Sequence, residues 1–367
     1  MQAVILAGGE GTRLRPLTSG VPKPVVRLVD RPFIAFMLDW LSSHGVDDVI
    51  MSCGFMADGV RSVLGDGERF GVRLRYVEEP EPRGTAGALK LAEPMLAERF
   101  LMLNGDVLTD IDLSAQIAQH EATGARGTLA LVPVADPSAY GLVVLDEERA
   151  VRAFIEKPEA PGPQEGNLIS AGAYVLERAI LDMIPPGRKV SIEGEIWPAL
   201  TGHGLYGFPS ESYWLDIGTP ARYLQGTFDI LEGNVRTAVA ERLGGDWLEV
   251  GEGARVGGRV VPPALLGANS ELAEGARVGP LVVLGERVSV GRGCAIERSV
   301  VLDGASVGEG CELRDCIVGP GAVVGSGSEI SGGAVIGEGV RIGAENVLTR
   351  GVRIFPGVEL PDRGIAF

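Results

Sequence analysis

The sequence predicts an α/β domain with a mostly parallel sheet, followed by a parallel β-helix of hexapeptide repeats. Over about the first 235 of its 367 residues, short apolar runs alternate with helical patterns, which is typical of a parallel sheet covered by helices. After about residue 245, glycine recurs every few residues and aliphatic residues recur at every sixth position. This period fits a solenoid with flat faces, and it does not fit an amphipathic helix. We expect two domains, residues 1–235 and 236–367.

The first domain shows four strand and helix pairs in succession. Strands are predicted near residues 3–7, 48–52, 72–76 and 100–104, and helices near residues 32–43, 56–64, 85–98 and 113–122. Ligands of parallel sheets bind beyond the carboxyl ends of the strands. The turn after the first strand and Asp106 after the fourth should therefore lie at one edge.

A helix over residues 218–234, ending at Gly233 or Asn234, is predicted between the domains. The hexads then run from Val318 in steps of six, and an earlier frame holds Val290, Ile296 and Leu302. The frame slips by one residue at Val307 and at Val318, which indicates shortened turns. Similar hexads in known proteins wind left-handed, so we expect a left-handed parallel β-helix.

Composition restricts the function and the compartment. The formal net charge of −16 argues against nucleic acid or a membrane surface as a partner. No signal peptide is recognisable and no apolar run approaches the ~20 residues of a membrane span, so we expect a cytoplasmic protein. The four cysteines form no CxxC pair, which fits reduced thiols without a chemical role.

The opening stretch "AGGEGTRLRP" combines glycines with arginines. Gly8, Gly9 and Gly11 follow a predicted buried strand, and Arg13 and Arg15 come close behind. The stretch lacks the Gly-Lys-Ser/Thr ending of a P-loop and the third glycine of the dinucleotide fingerprint. It remains either a cradle of backbone N–H groups for a polyanion or a turn with solvated arginines.

Lysine is rare in a chain whose basic residues are nearly all arginine. Lys23 in "VPKPV" and Lys157 in "IEKPE" both precede a proline. A compact ammonium suits a phosphate oxygen that must be met as a point charge. The alternative is that both are surface cations.

Seven segments, in order over nearly all of residues 1–220, resemble the sugar-1-phosphate nucleotidyltransferases. They are "LAGGEGTRLRPLT" at 6–18, "PKP" at 22–24, "PRGTAGAL" at 82–89, "NGD" at 104–106, "EKP" at 156–158, "SIEGEIWP" at 191–198 and "YWLDIGTP" at 213–220. The resemblance implies a Rossmann-like catalytic domain. It also implies that a sugar-1-phosphate oxygen attacks the α-phosphate of a nucleoside triphosphate and releases pyrophosphate.

The resemblance implies roles for particular residues. Catalysis would depend on Arg13 at the leaving phosphates, Lys23 at the α-phosphate, Lys157 at the sugar phosphate, and Asp106 and Asp216 as ligands of Mg²⁺. Asp216 could instead be a turn residue. The nucleotide-binding residues would be Leu6, Ala7, Gly8, Gly9, Gly11, Thr12, Arg13, Glu79, Gly84, Thr85 and Asn104.

Base and sugar are less sharply specified. A carboxylate such as Glu79 can accept from both guanine N1–H and the exocyclic amino group, which favours GTP, and Glu78 is the alternative. The sugar phosphate would meet Gly141, Glu156, Lys157, Ser170, Gly172, Glu193 and Glu195. The family usually has Asn-Ala-Gly where this chain has Ser170-Ala171-Gly172, so mannose, our expectation, is not separated from glucose.

Three other functions would share some of these sequence features. A glucose-1-phosphate uridylyltransferase or thymidylyltransferase would share the motifs. A hexapeptide-repeat acyltransferase needs a histidine base in its coils, but His44, His120 and His203 all precede the repeats. A non-catalytic homologue should lack some of the five catalytic residues, and all are present. The solenoid is then expected to serve assembly, as a homodimer or larger homo-oligomer.

Overall fold

The computed structural model describes residues 1–159 and 166–366, which form two compact units. The first unit consists of residues 1–10 and 34–216, and the second of residues 11–33 together with the chain from Ile217 onward. The segment 11–33 thus belongs with the C-terminal part of the chain. The domain boundary at residue 235 stays a prediction.

Short strands and helices alternate as far as residue 243. The strands are β1 (Gln2–Ala7), β2 (Arg27–Leu28), β3 (Arg31–Pro32), β4 (Asp48–Cys53), β5 (Arg73–Glu78), β6 (Arg99–Asn104), β7 (Val107–Thr109), β8 (Gly127–Pro133), β9 (Gly141–Leu145), β10 (Val151–Glu156), β11 (Leu168–Glu177), β12 (Leu205–Pro209) and β13 (Trp214–Asp216). The helices are α1 (Phe33–Ser43), α2 (Ala57–Leu64), α3 (Gly84–Ala92), α4 (Leu113–Thr123), α5 (Trp197–Leu200), α6 (Pro220–Leu231) and α7 (Ala238–Leu243).

The first unit is built on a nine-stranded sheet. Strands β5, β4, β1 and β6 lie side by side and parallel, and they are the four strands that the sequence predicts. Beyond β6 the sheet is mixed, because β11 runs antiparallel to β6, β8 and β9. The mostly parallel α/β fold is confirmed, with an antiparallel part formed by the later strands.

The register of the parallel strands brings their carboxyl ends to one edge. Leu6 lies opposite Asn104, Ala7 opposite Cys53, and Cys53 opposite Glu78. The residues that follow β1, β5 and β6 therefore lie close together, which is the edge where ligands of such sheets bind.

The helix predicted over residues 85–98 is shorter than expected. Helix α3 ends at Ala92, and a 3₁₀ turn covers Glu93–Met95. Pro94 has no N–H to donate to the preceding turn, so the α-helical ladder cannot continue through it. The predicted helix over residues 218–234 is α6, which Gly233 follows with a φ of 69°.

The second unit contains a solenoid of short parallel strands in three sheets. Its strands are β14 (Leu248–Val250), β15 (Arg255–Val256), β16 (Arg259–Val260), β17 (Ala264–Leu266), β18 (Glu271–Leu272), β19 (Arg277–Val278), β20 (Val282–Leu284), β21 (Ser289–Val290), β22 (Ala295–Glu297), β23 (Ser299–Val301), β24 (Ser306–Val307), β25 (Glu312–Arg314), β26 (Ile317–Val318), β27 (Val323–Val324), β28 (Glu329–Ile330), β29 (Val335–Ile336), β30 (Arg341–Ile342), β31 (Val347–Leu348), β32 (Arg353–Ile354) and β33 (Glu359–Leu360).

Successive coils stack so that every third strand pairs, as in a left-handed parallel β-helix. The predicted hexad residues, such as Ile330 and Ile342, end these strands and fill the apolar interior. A side chain in one coil contacts the next coil 18 residues away near Asp362, but 17 residues away near Cys316. The structure has two one-residue shortenings. One is the predicted slip at Val318, which follows the interior residue Leu313 by five positions. The other lies between Ile296 and Val301 and not at Val307, because Val301 ends β23 in the interior in place of the predicted Leu302.

Small and apolar side chains fill the narrow interior of the solenoid. Cys294, Cys311 and Cys316 are buried there as free thiols. Burial raises the pKa of Cys316 to about 12, which keeps that thiol neutral. In the described part of the chain, no helix combines the length and apolar character needed to cross a membrane.

Candidate active site

The glycine turn of the first unit lies against Glu79. A Cβ on Gly8 would stand 2.9 Å from Oε1 of Glu79, so the backbone and the carboxylate are in close contact. The hydroxyl of Ser52 donates to Oε1 at 3.2 Å, and the backbone N–H of Arg83 donates to Oε2 at 3.3 Å. Both carboxylate oxygens are thereby oriented beside the turn. Glu78 is exposed as the last residue of β5.

Asn104 packs against a bulge in β11. The register of β11 with β8 shifts between Ser170 and Tyr174, and Gly172 within this bulge has a φ of 76°. A Cβ on Gly172 would stand 3.0 Å from the side-chain amide nitrogen of Asn104. A residue with a side chain would be strained there and would collide with Asn104.

Asp106 and Asp216 are brought together by a short antiparallel ladder. Strand β7 follows Asp106 directly and pairs with β13, so that Asp216 lies opposite Val107. The hydroxyl of Tyr140 donates to Oδ1 of Asp216 at 2.9 Å, and the Tyr140 ring packs edge-on against Trp214. The two predicted metal ligands are thus neighbours across the ladder, 110 positions apart in the chain.

These two carboxylates fit a hard divalent cation. Across residues 1–159 and 166–366, the structure holds no group of three or more His, Cys, Asp or Glu side chains suited to a metal. Mg²⁺ commonly takes only one or two protein carboxylates and fills its other positions with water and substrate phosphates. A pair of aspartates in adjacent register is therefore a sufficient protein contribution.

Glu156 ends β10 next to Gly141, and Lys157 follows it. Gly141 pairs with Glu156 across the β9–β10 ladder, and Nζ of Lys157 lies 3.3 Å from Oε1 of Glu156. The backbone N–H of Lys157 donates to the carbonyl of Tyr140 at 2.9 Å. Tyr140 thus contacts the main chain at Lys157 and the side chain of Asp216.

A second carboxylate cluster lies at the start of α3. Oε2 of Glu193 accepts from the hydroxyl of Thr85 at 2.7 Å and from the hydroxyl of Ser191 at 2.9 Å. Glu195 instead pairs with the exposed Arg188 at 2.6 Å. Gly84 begins α3 directly before Thr85. Of the neighbouring Glu193 and Glu195, which are both predicted to bind the sugar, Glu193 is the one joined to the predicted nucleotide-binding segment.

Ser170 is paired with a buried tyrosine. Its hydroxyl lies 3.0 Å from the hydroxyl of Tyr174, whose ring packs 5.2 Å from that of Trp197. Burial, then the negative charge of Glu193, and to a smaller extent that of Glu156, raise the pKa of Tyr174. Ser170 is thus held at the hydroxyl of a buried tyrosine whose ring packs on Trp197.

The remaining predicted phosphate ligands lie in the second unit, in residues 11–19, which we name the arginine loop, and at Lys23. Gly11 has a φ of 64°, and a 3₁₀ turn covers Thr12–Leu14. A Cβ on Gly11 would stand 3.1 Å from Cβ of Lys23, so glycine lets the loop close onto this buried lysine. The Thr18 hydroxyl donates to the carbonyl of Gly11 at 2.8 Å.

The predicted residues are divided between the two units. The first unit holds Leu6, Ala7, Gly8, Gly9, Glu79, Gly84, Thr85, Asn104, Asp106, Gly141, Glu156, Lys157, Ser170, Gly172, Glu193, Glu195 and Asp216, and the second holds Gly11, Thr12, Arg13 and Lys23. Sequence reasoning missed Ser52, Tyr140 and Tyr174. Only Tyr140, which precedes Gly141, carried a local signal.

The family follows from comparison with known proteins. Residues 2–233 match the nucleotidyl transferase family, and residues 260–363 match the GMPPB C-terminal domain. The chain belongs to the nucleotidyl transferase family, and the enzyme class predicted from its motifs is confirmed.

The chain is similar to several individual proteins. The chain is 38% identical over 304 residues to the mannose-1-phosphate guanylyltransferase of Mycobacterium tuberculosis, covering 81% of this chain and 83% of that protein. It is 38% identical over 275 residues to the mannose-1-phosphate guanylyltransferase catalytic subunit beta of Xenopus tropicalis, covering 73% and 74%. Among solved structures, HddC from Yersinia pseudotuberculosis is 30% identical with a TM-score of 0.54, over 62% of this chain and 97% of HddC. HddC has also been solved in complex with GMP-PN.

Proposed function

We propose that this protein transfers GMP from GTP to mannose-1-phosphate, producing GDP-mannose and pyrophosphate. The observation that carries the base assignment is the orientation of Glu79 beside the glycine turn. Each of its oxygens already accepts one hydrogen bond, from Ser52 or from Arg83, and keeps a further lone pair. The pair suits guanine, whose N1–H and amino group are adjacent donors. The relatives named mannose-1-phosphate guanylyltransferase support both substrates.

The reaction exchanges one phosphate bond for another. An oxygen of the sugar phosphate forms a bond to the α-phosphorus, and the bond from that phosphorus to the β-phosphate bridging oxygen breaks. Pyrophosphate leaves with the electron pair. Because both reactants are anions, the protein must neutralise charge and hold the attacking and leaving oxygens in line.

Cationic residues provide this neutralisation in our proposal. Arg13 binds the phosphates that leave, Lys23 faces the α-phosphate, and Lys157 binds the sugar phosphate. Nζ of Lys157 lies 3.3 Å from the Glu156 carboxylate, which supports the role of Lys157. The pair presents a cation for the phosphate beside a carboxylate that can accept a hydrogen bond from a sugar hydroxyl. The alternative that these lysines are solvated surface cations does not fit Lys23, which is only 9% exposed.

The sugar hydroxyls are proposed to meet Glu156, Glu193 and Ser170. Thr85 and Ser191 hold the Glu193 carboxylate in place, which favours it over the outward-paired Glu195. The shorter Ser170 side chain leaves discrimination between mannose and glucose to these carboxylates.

Asp106 and Asp216 are proposed to hold Mg²⁺. When bound there, a divalent ion would supply positive charge that offsets the charge of the transition state. The chain's own contribution is to place the two carboxylates on adjacent strands and to orient Asp216 through the Tyr140 hydroxyl.

We also propose a cytoplasmic homodimer or larger homo-oligomer that assembles through the solenoid. The exposed apolar side chains of Val250 and Val256, in the first coil, support an assembly surface there. Light scattering of the full chain should give a mass of at least twice the 38.5 kDa protomer, and a monomer at micromolar concentration would contradict this.

The experiment that tests the activity is a substrate panel. GTP, ATP, UTP and dTTP are each combined with mannose-1-phosphate and with glucose-1-phosphate in the presence of Mg²⁺, and pyrophosphate release is measured. GTP with mannose-1-phosphate should have the highest kcat/KM. A clear preference for UTP or dTTP would show that the Glu79 argument is wrong, and no release from any pair would favour a non-catalytic homologue.

A further inference from the structure

We propose that Arg353, in the solenoid, is a positioning residue for nucleotidyl transfer that holds the arginine loop in its binding conformation. The proposal rests on the proposed function, in which Arg13 of that loop binds the leaving phosphates. Arg353 and the arginine loop belong to the same compact unit, although 340 positions separate Arg353 from Arg13.

The contact is a pair of hydrogen bonds from one nitrogen. Nη1 of Arg353 donates to the carbonyl of Arg13 at 3.1 Å and to the carbonyl of Arg15 at 3.0 Å. A guanidinium Nη carries two hydrogens, so each carbonyl can receive its own. Bonds from an ionised donor are stronger than neutral ones.

These bonds complete the carbonyl pairing of residues 11–15. The Gly11 carbonyl accepts from Leu14 N–H, and the Thr12 carbonyl from Arg15 N–H. The Leu14 carbonyl accepts from Leu17 N–H at 3.1 Å. The Arg13 and Arg15 carbonyls alternate with these and point to Arg353. The peptide planes that follow Arg13 and Arg15 are thereby fixed from outside the loop.

Arg353 stands on a rigid base. It begins β32, which pairs with β29, and the next residue, Ile354, is buried in the solenoid interior. Farther along the segment, Arg27 forms an ion pair with Asp303, and its carbonyl accepts from the Tyr223 hydroxyl at 2.6 Å. The segment 11–33 is thus attached to the C-terminal part of the chain at several points.

Arg353 influences the direction of the Arg13 side chain. Fixing the peptide plane that contains the Arg13 carbonyl fixes the direction in which its side chain leaves the backbone. Without Arg353 the loop would sample other conformations, and GTP would have to select the competent one at a cost in affinity. Arg353 itself need not touch the substrate. Its expected effect is therefore on GTP and not on the sugar phosphate.

The test compares Arg353→Ala and Arg353→Lys with Arg341→Ala as the matched control. Arg341 holds the equivalent place before a buried isoleucine in β30 and faces Glu359 at 3.9 Å. Arg353→Ala should raise the KM for GTP about tenfold, as expected for losing hydrogen bonds from a charged donor. The KM for mannose-1-phosphate should stay within about twofold. The KM for GTP of Arg353→Lys should lie between the values of Arg353→Ala and wild type. Arg341→Ala should have the wild-type KM for GTP.

Two results would overturn the proposal. One is a wild-type KM for GTP in Arg353→Ala, and the other is an equal loss in every kinetic constant together with a lowered melting temperature, which would mean a structural role only. Calorimetric titration with GTP measures the same effect without turnover. An inactive wild type would contradict the proposed function, while the ratio of GTP affinities would still decide for or against Arg353.

Discussion

Replacing Glu79 by glutamine should remove the preference for guanine while leaving the fold intact. The Arg83 N–H requires an oxygen at the Oε2 position, so the new amide NH₂ group must take the Oε1 position beside Gly8 and Ser52. There a donor replaces an acceptor and opposes the donors of guanine. Hydrogen bonds to a charged partner contribute ~1.5–3 kcal/mol each. Losing the one at Oε1, at the upper figure, is about 3 kcal/mol, or about 10²-fold in kcat/KM for GTP.

The assay measures kcat/KM for GTP and for UTP from pyrophosphate release at saturating mannose-1-phosphate. Uracil presents a donor between two acceptors, which an amide can match, so the ratio of GTP to UTP should fall by more than the GTP value alone. Glu78→Gln is the control, because that exposed neighbour ends β5 without these contacts. A GTP to UTP ratio that is unchanged in Glu79→Gln, or that falls equally in the control, would refute the reasoning.

Three further substitutions test other parts of the account. Tyr140→Phe removes the hydrogen bond to Asp216 and should raise the Mg²⁺ concentration for half-maximal rate about tenfold, measured by Mg²⁺ titration of turnover. Gly172→Ala places a Cβ at a φ of 76° against Asn104 and should lower the free energy of unfolding by about 1–2 kcal/mol or more in urea titration. Burial lowers the pKa of His120 in the folded protein. As the pH drops below about 6.5, the unfolded chain therefore binds a proton at His120 more readily than the folded protein does, and the free energy of unfolding should fall. His120→Gln should lessen that fall, measured by urea titrations at about pH 7.5 and 5.5.

Much of the fold could be predicted from the sequence because the patterns that indicate it are periodic. A hexad frame such as Ile330, Ile336 and Ile342 repeats one packing requirement at each coil, and its slip at Val318 is visible as a break in the count. The parallel strands β1, β4, β5 and β6 were equally readable from apolar runs and glycine turns. The antiparallel β8 to β11 region was not, because pairing between such strands depends on register and not on local pattern.

The site was predicted where residues act through short motifs and missed where they act through distant partners. Glu79 and Glu78 were indistinguishable in sequence, and only the contacts with Ser52 and Arg83 separate them. Tyr140 lies 76 positions from Asp216, and Arg353 lies 340 positions from Arg13. No local pattern reports a hydrogen bond over such separations, because it depends on how the whole chain folds.

One measurement tests the central claim directly. Mannose-1-phosphate labelled with ¹⁸O in its non-bridging phosphate oxygens is incubated with GTP, Mg²⁺ and the full chain, and the products are analysed by mass spectrometry. Attack by the sugar phosphate on the α-phosphorus predicts GDP-mannose that retains all of the label, together with unlabelled pyrophosphate. Label in pyrophosphate, or no GDP-mannose at all, would contradict the account.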